Sequence, residues 1–410
     1  MLELSIKEKE RIGKLLKYYR KKNKVQWKEI ESILSKSTYW KLENGKISKK
    51  IEIYNKLFNL YDLTYLEKDN FKEWFNDYHI RMNDALEYCI EEEYDSLIDE
   101  LEKELGPYKN TIIYEQYYQV ITYILNYYQY SKYMTMEEIE DCFLLFDCFD
   151  FEETIIDYLL ETIFISNNNK HASYEVLNLV KNLLKEENPI HWYLFAGYYK
   201  VNAQFDTALK YFKKSYEFWN NKNNYYRTVR SLIGKFMIYK NIDKIKANEI
   251  MDELLTIKEN HNLNQQLLEN INYTIAMYKY LEKEYCEAYS LFEENFKKKK
   301  NDRELLFMCA ICSQLDKEIP IDIHDSNYID HPYKEYLYYF KLKHLNKENK
   351  ELVAYIMQVI VPLKLEKQIY KQPFWEMFEL ELTNISLKDK RLAIQLVEYI
   401  QKKNKVCGNN

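Results

Sequence analysis

The sequence predicts an all-α protein, with a small basic module at the N-terminus and a long acidic array of helices behind it. Three observations carry that expectation. Only 6 glycines and 6 prolines occur among 410 residues, about 3% together against roughly 12% in average usage, so hairpin turns, glycine-rich phosphate loops and crossover connections lack their usual residues. Hydrophobic residues make up 47% of the chain and charged residues 30%, enough apolar side chain for a long packed core and too much for global disorder. Apolar residues also recur at helical spacing, in segments of roughly 10 to 20 residues separated by short polar breaks.

Charge divides the chain in two. The first 60 residues hold sixteen Lys or Arg against seven Asp or Glu, a segment of +9, and with −6 overall the remaining 350 residues carry −15. A basic head on an acidic body suggests nucleic-acid binding at the head. The basic residues are 52 Lys to 7 Arg, and Tyr reaches 41, the bias of an AT-rich bacterial genome. The N-terminus is charged from its third residue, and no apolar run reaches the ~18 residues of a membrane span. The expectation is a cytoplasmic protein without membrane association.

In chain order, residues 6–20 place Ile6, Ile12, Leu15, Leu16 and Tyr19 near one face of a first helix, with Lys and Arg opposite. After the lysine-rich break KKNK, Trp27, Ile30, Ile33 and Leu34 supply the apolar face of a second, short helix. A third follows in SKSTYWKLENGK: Ser35 has an N-capping side chain, Tyr39 and Leu42 lie three apart and face inward, and Asn44-Gly45 ends the helix with a residue that takes positive φ. Two further apolar stretches, IEIYNKLFNLY and LTYL, complete a five-helix unit over residues 1–66. Residues 67–80 read as a linker helix and residues 81–410 as the array.

The run IGKLLKYYR…VQWKEIESILSKSTYWKLENGK resembles the lambda repressor/Cro-type (XRE) helix-turn-helix, in the form ending S-x-S-x-ϕ-x-K-ϕ-E-N-G that occurs in peptide-pheromone regulators. Ser35, Ser37, Tyr39, Lys41, Leu42, Glu43, Asn44 and Gly45 fill those positions in turn. The chain departs from the pattern in lacking the turn glycine between the second and third helices and in carrying bulky Trp40 where a small polar residue is usual. The resemblance implies a third helix lying in the major groove of a DNA operator. Its exposed positions are Lys36, Ser37, Thr38, Trp40 and Lys41. Lys36 suits guanine, Ser37 and Thr38 bases or phosphates, and Lys41 the backbone. Gln26, at the start of the second helix, matches a phosphate-contacting position, whereas Glu43 ties the third helix to its neighbour.

Over residues 189–222, Trp192, Phe195, Ala196, Tyr199, Ala208, Phe212 and Ser215 occupy the seven signature positions of a tetratricopeptide repeat, which this segment resembles. Small residues belong where the two helices of a repeat cross, and aromatic ones fill the space around the crossing. Weaker copies are marked by Gly234, Ala247 and Ile250 over 227–260, by Ala276, Ala288 and Phe292 over 269–302, and by Ala354 and Ala393 beyond. Such repeats stack into a right-handed superhelix with a concave groove, because one repeat alone cannot bury its apolar face. By that register the groove-facing positions are Tyr193, Gly197, Lys200, Ser231, Lys235, Asn270, Tyr273, Met277 and Tyr280. Tyr, Asn and Lys suit an extended peptide, whose backbone needs amide partners.

Other chemistry finds little support. Seven cysteines, at 89, 142, 148, 286, 309, 312 and 407, form an odd set without zinc-ribbon spacing, and Cys309-x2-Cys312 lies in an apolar helical segment. The stretch DIHDSNYIDH (322–331) gathers acids and histidines at a spacing that matches no metal motif. HExxH, GxSxG and P-loop patterns are absent. The expectation is therefore no catalytic residue, no metal and no cofactor.

Both modules together resemble the pheromone-responsive (RRNPP) quorum-sensing regulators. That resemblance implies a homodimeric transcription regulator that binds double-stranded DNA and senses a small signalling peptide. Two alternatives stay open from the residues: a protein-binding repeat effector that does not bind DNA, and a dimeric repressor without a peptide ligand.

Overall fold

The computed structural model describes residues 4–360 apart from 172, 262, 299–301, 319–332 and 346–347, together with 391, 394 and 398. The 322–331 stretch, Ala393 and Cys407 lie outside the described residues. The chain forms two compact units, Met1–Tyr198 and Tyr199–Asn410. Among the described residues the fold is all-α, with no strand and one isolated bridge, Thr64 to Thr111.

Local chemistry sets the N-terminal helices. Ser5 and Glu8 close a capping box at the start of α1 (Ile6–Lys22), each side chain accepting the other's backbone N–H, which satisfies two otherwise orphaned donors. A short α2 (Trp27–Glu31) leads to α3 (Lys36–Glu43), where the Ser35 side chain accepts from the Thr38 N–H as the sequence predicts. Gly45 follows at φ +78°. Packing then joins the pieces. A Cβ at Gly13 would lie 2.4 Å from the Leu42 carbonyl oxygen, so glycine is what lets α1 and α3 cross so closely. Ile12, Leu15, Leu16 and Tyr19 are buried as expected, while Ile6, at the first helical position, is exposed.

After α4 (Ile51–Tyr61), the expected fifth helix over 63–66 does not form. Four residues are too few to offset the cost of nucleating a helix. The segment is extended instead, the Thr64 carbonyl accepting from Ile112 N–H at 3.0 Å and its hydroxyl donating to the Asn110 carbonyl at 2.9 Å. The next helix, α5 (Phe71–Tyr88), starts later and runs longer than the linker helix expected over 67–80. The first unit continues through α6 (Glu91–Leu105), α7 (Tyr114–Tyr130), α8 (Met136–Phe146), α9 (Glu153–Ser166) and α10 (Tyr174–Leu183). Within this unit α1 packs on α8 as well as on α3.

Tyrosines fill much of this core. Tyr18, Tyr39, Tyr54, Tyr78, Tyr94, Tyr117 and Tyr158 are almost completely enclosed. Several hydroxyls donate to helix carbonyls: Tyr39 to Leu16 at 3.1 Å, Tyr78 to Leu97 at 3.0 Å and Tyr94 to Ala85 at 3.4 Å. A buried phenol needs such a partner, and carbonyls with a spare lone pair supply it.

The division falls inside α11 (Pro189–Val201), which starts on a proline whose missing N–H costs nothing at that position. The second unit holds α12 (Phe205–Asn221), α13 (Tyr225–Ile242), α14 (Lys244–Asn260), α15 (Gln265–Leu281), α16 (Tyr285–Lys298), α17 (Asp302–Gln314), α18 (Tyr333–His344) and α19 (Asn349–Tyr355). From α12 to α17 each helix packs on its sequence neighbour, and α13 also packs on α15, the arrangement of stacked helix pairs. The small residues Ala208, Ala247, Ala276 and Ala288 are all buried, as are Phe212 and Phe292.

Candidate functional site

Three side chains anchor α3 by its inner face. Tyr39 and Leu42 are buried, and the Tyr39 hydroxyl also meets that of Tyr61 at 2.5 Å. Glu43, only 7% exposed, takes both forks of Arg20 from α1, Nε to Oε1 at 2.7 Å and Nη2 to Oε2 at 3.1 Å. Hydrogen bonding to Glu43 raises the Arg20 pKa against the opposing effect of burial. Trp27 from α2 packs edge-on to Tyr39 with centroids 5.7 Å apart, and the Arg20 guanidinium lies 4.6 Å from the Trp27 ring.

This anchoring leaves the opposite face of α3 to solvent. Lys36, Ser37, Trp40 and Lys41 are exposed there, Trp40 to 59%, and Thr38 is half-buried. Gln26 is exposed at the N-cap of α2. The Lys36 ammonium lies 4.7 Å from the Trp27 ring, a cation–π contact that restrains its long side chain. Lys41 makes no ion pair among the described residues. The Ser37 and Thr38 hydroxyls sit 3.2 and 2.8 Å from Ser35 Oγ, and each keeps further hydrogen-bonding capacity for a ligand.

The head's +9 is not all available on that face. Lys14 pairs with Asp150 at 3.0 Å, Lys17 with Asp147 at 3.9 Å and Lys22 with Asp141 at 2.6 Å, while Arg20 serves Glu43. Sequence reasoning missed Asp141, Asp147 and Asp150 because their partners lie more than a hundred residues away. The one hint was the spacing of aspartates in DCFLLFDCFD.

The groove-facing positions expected in the repeats divide by burial. On α11, Gly197 is buried and Tyr193 is half-buried. Lys200 is half-buried, its ammonium pushed down to about 8 by desolvation and, secondarily, by Lys240. On α13, Lys235 is half-buried with its ammonium 4.8 Å from the Tyr216 ring, and desolvation lowers its pKa. Ser231 is fully buried, its Oγ 2.9 Å from Ser215 Oγ and 3.0 Å from the Arg227 carbonyl. On α15, Asn270 and Tyr273 are half-buried, whereas Met277 and Tyr280 are buried. Ser231, Met277 and Tyr280 therefore pack in the core rather than line a surface. The repeat spacing puts them on the A-helix face, but neighbouring helices close over that part of it.

Sequence reasoning also missed the surroundings of Tyr273. The Arg303 guanidinium lies 3.6 Å from its ring, and buried Glu304 follows Arg303 in the first turn of α17. Burial pushes the Tyr273 hydroxyl up to about 12, with Arg303 opposing and Glu304 adding. Ala310 stands six residues after Glu304, as Ala276 does after Asn270, a weak register cue to this position. Deeper on α15, Asn272 accepts from Lys258 Nζ at 2.7 Å, and Asn295 Nδ2 donates to the Glu269 carbonyl at 2.9 Å.

Cys309 and Cys312 are buried, and burial raises both thiols above the ordinary range. Among the described residues no group of three or more His, Cys, Asp or Glu is placed to hold a metal ion. No helix there is long and apolar enough to cross a membrane.

No protein-family model and no curated protein matches the chain. Among solved structures it is similar to the apo form of the quorum sensor NprR from B. thuringiensis, with a TM-score of 0.50 and 13% identity, covering 81% of this chain and 100% of that one. At that identity the likeness is one of fold.

Proposed function

We propose that the chain is a cytoplasmic transcription regulator, a binding protein rather than an enzyme. It reads a DNA operator with α3 as part of a homodimer and senses a small signalling peptide with its repeats. One observation carries the DNA reading: α3 is fixed from behind by Tyr39, Leu42 and the Arg20–Glu43 pair, and it presents Lys36, Ser37, Thr38, Trp40 and Lys41 together on its outer side. A helix so presented fits the major groove. Lys36 donates to guanine, Thr38 reads a base edge, Trp40 packs on a thymine methyl, and Lys41 with Gln26 holds phosphate. Two heads of a dimer must sit about 34 Å apart, or a multiple of it, to reach successive grooves.

The peptide reading is supported by the fold likeness to a quorum sensor and by the side chains that stay part-exposed on α11, α13 and α15: Tyr193, Lys200, Lys235, Asn270 and Tyr273. Lysines held partly out of water gain most from a ligand carboxylate, and asparagine pairs with a peptide backbone in both directions. Coupling requires that the peptide bind the two states of the dimer unequally.

The test is a fluorescence-anisotropy titration of the purified chain against the DNA upstream of its own coding sequence, with and without the small-peptide fraction of the producing culture. Sequence-specific binding shifted by that fraction supports the reading. Absence of specific binding at low salt overturns the DNA half, and specific binding indifferent to the fraction overturns the peptide half.

A further inference from the structure

The DNA-facing side of α3 leaves a second charged face of the head unexplained, the one that α1 turns toward α7 and α8. Lys14, Lys17, Tyr18 and Lys22 recur along one stripe of α1. Opposite them stand Asp150, Asp147 and Asp141, Lys22 and the Tyr18 hydroxyl both reaching Asp141, at 2.6 and 3.4 Å. Beside this stripe the Tyr19 hydroxyl donates to Glu115 at 2.6 Å and accepts from Gln116 Nε2 at 2.8 Å, with Tyr19 and Gln116 both buried. Arg11 adds a contact 5.4 Å from the Phe149 ring. The rim pairs of Lys14 and Lys17 are largely solvated and individually weak. The inner end is different, since Asp141 is 14% exposed, Tyr19 and Gln116 are buried and Glu115 is half-buried.

The same helix holds α3. Gly13 meets the Leu42 backbone, and Arg20 grips Glu43. A rigid rod fastened to the recognition helix on one side and to residues 115–150 on the other transmits direction from one to the other. We propose that this face of α1 is a joint that sets where the recognition helix points, with Asp141 and Glu115 as positioning residues for DNA reading and any rearrangement of α7 or α8 carried to α3. The proposal rests on the DNA-binding reading for its consequence, whereas the joint itself is tested without DNA.

The experiment is amide hydrogen exchange on the full chain. Reversing the acidic side (D141K/D147K/D150K) is expected to speed exchange of α1 amides by about tenfold or more, with α13 and α15 unchanged, since opening is local to the undocked element. Reversing the basic side (K14E/K17E/K22E) does the same, and combining both sets restores slow exchange. Unchanged α1 exchange after either reversal, or no restoration in the combined variant, overturns the joint. Should a reversal unfold the chain, Asp141→Asn decides: it is expected to speed α1 exchange relative to α13, and an unchanged ratio overturns the proposal. Absence of DNA binding by the wild-type chain overturns the functional reading alone.

Discussion

The N-terminal head and the repeats of the second unit solve opposite problems with the same element. In the head, one helix eight residues long carries the outward residues, and the positions Lys36, Ser37, Trp40 and Lys41, expected from spacing alone, are exposed. In the repeats the surface is shared among helices far apart in sequence, and four expected positions, Gly197, Ser231, Met277 and Tyr280, are buried. Helical periodicity tells which side of one helix faces its neighbour. How much of that side stays uncovered once further helices stack on it depends on packing that no single helix encodes.

Breaking the anchor of α3 should have the largest effect. Glu43→Ala leaves Arg20 part-buried without its partner, and removing one member of a buried pair costs about 3–5 kcal/mol, the lower end applying because Arg20 keeps some solvent access. Urea denaturation measures it, and a loss under ~1 kcal/mol, the range of a surface pair, would reduce the anchor to decoration. Next comes the outer face. Thr38→Ala should cost about 1–3 kcal/mol at one operator position, whereas Lys41→Ala should weaken binding to all sequences alike and lower the salt slope by about one. Finding the two patterns exchanged would reassign base reading from Thr38 to Lys41.

In the repeats the effects are smaller and sharpen the contrast. Lys200 has its folded pKa depressed from 10.5 to about 8, so between those values the unfolded chain holds more protons. Stability should therefore rise as pH climbs from about 8 toward 10.5. Lys200→Met should remove that rise and gain stability at pH 7, and a variant with the wild-type pH profile would show that solvent reaches the ammonium. Asn270→Ala should reduce peptide affinity and leave thermal stability within a degree or two, as expected for a part-exposed polar residue. A stability loss with unchanged affinity would instead place Asn270 with the buried network of Asn272.

What could be read from the sequence follows the range over which each determinant acts. Ser35 as a cap, Gly45 as a stop and Tyr39 with Leu42 as the inner pair act within one or two turns, and all were legible. The short segment at 63–66 carried the right residues for a helix, but its four-residue length and pairing with residues 110–112 decided otherwise. The acids that meet α1, and the Arg303–Tyr273 contact, depend on distant segments meeting, and only weak cues such as the position of Ala310 pointed to them.

The enclosed tyrosines have an optical consequence. Burial raises the ionisation of Tyr39, Tyr78 and Tyr117 far above that of a free phenol. The folded chain keeps these rings neutral, and the stability tied to them is present below pH ~10 and lost above it, where the unfolded chain ionises. In an alkaline titration followed at the phenolate absorption band, exposed rings should ionise gradually near pH 10 while the enclosed ones appear together in one abrupt step as the helices come apart. The molecule thus contains its own chromophoric indicator of unfolding, without any added dye.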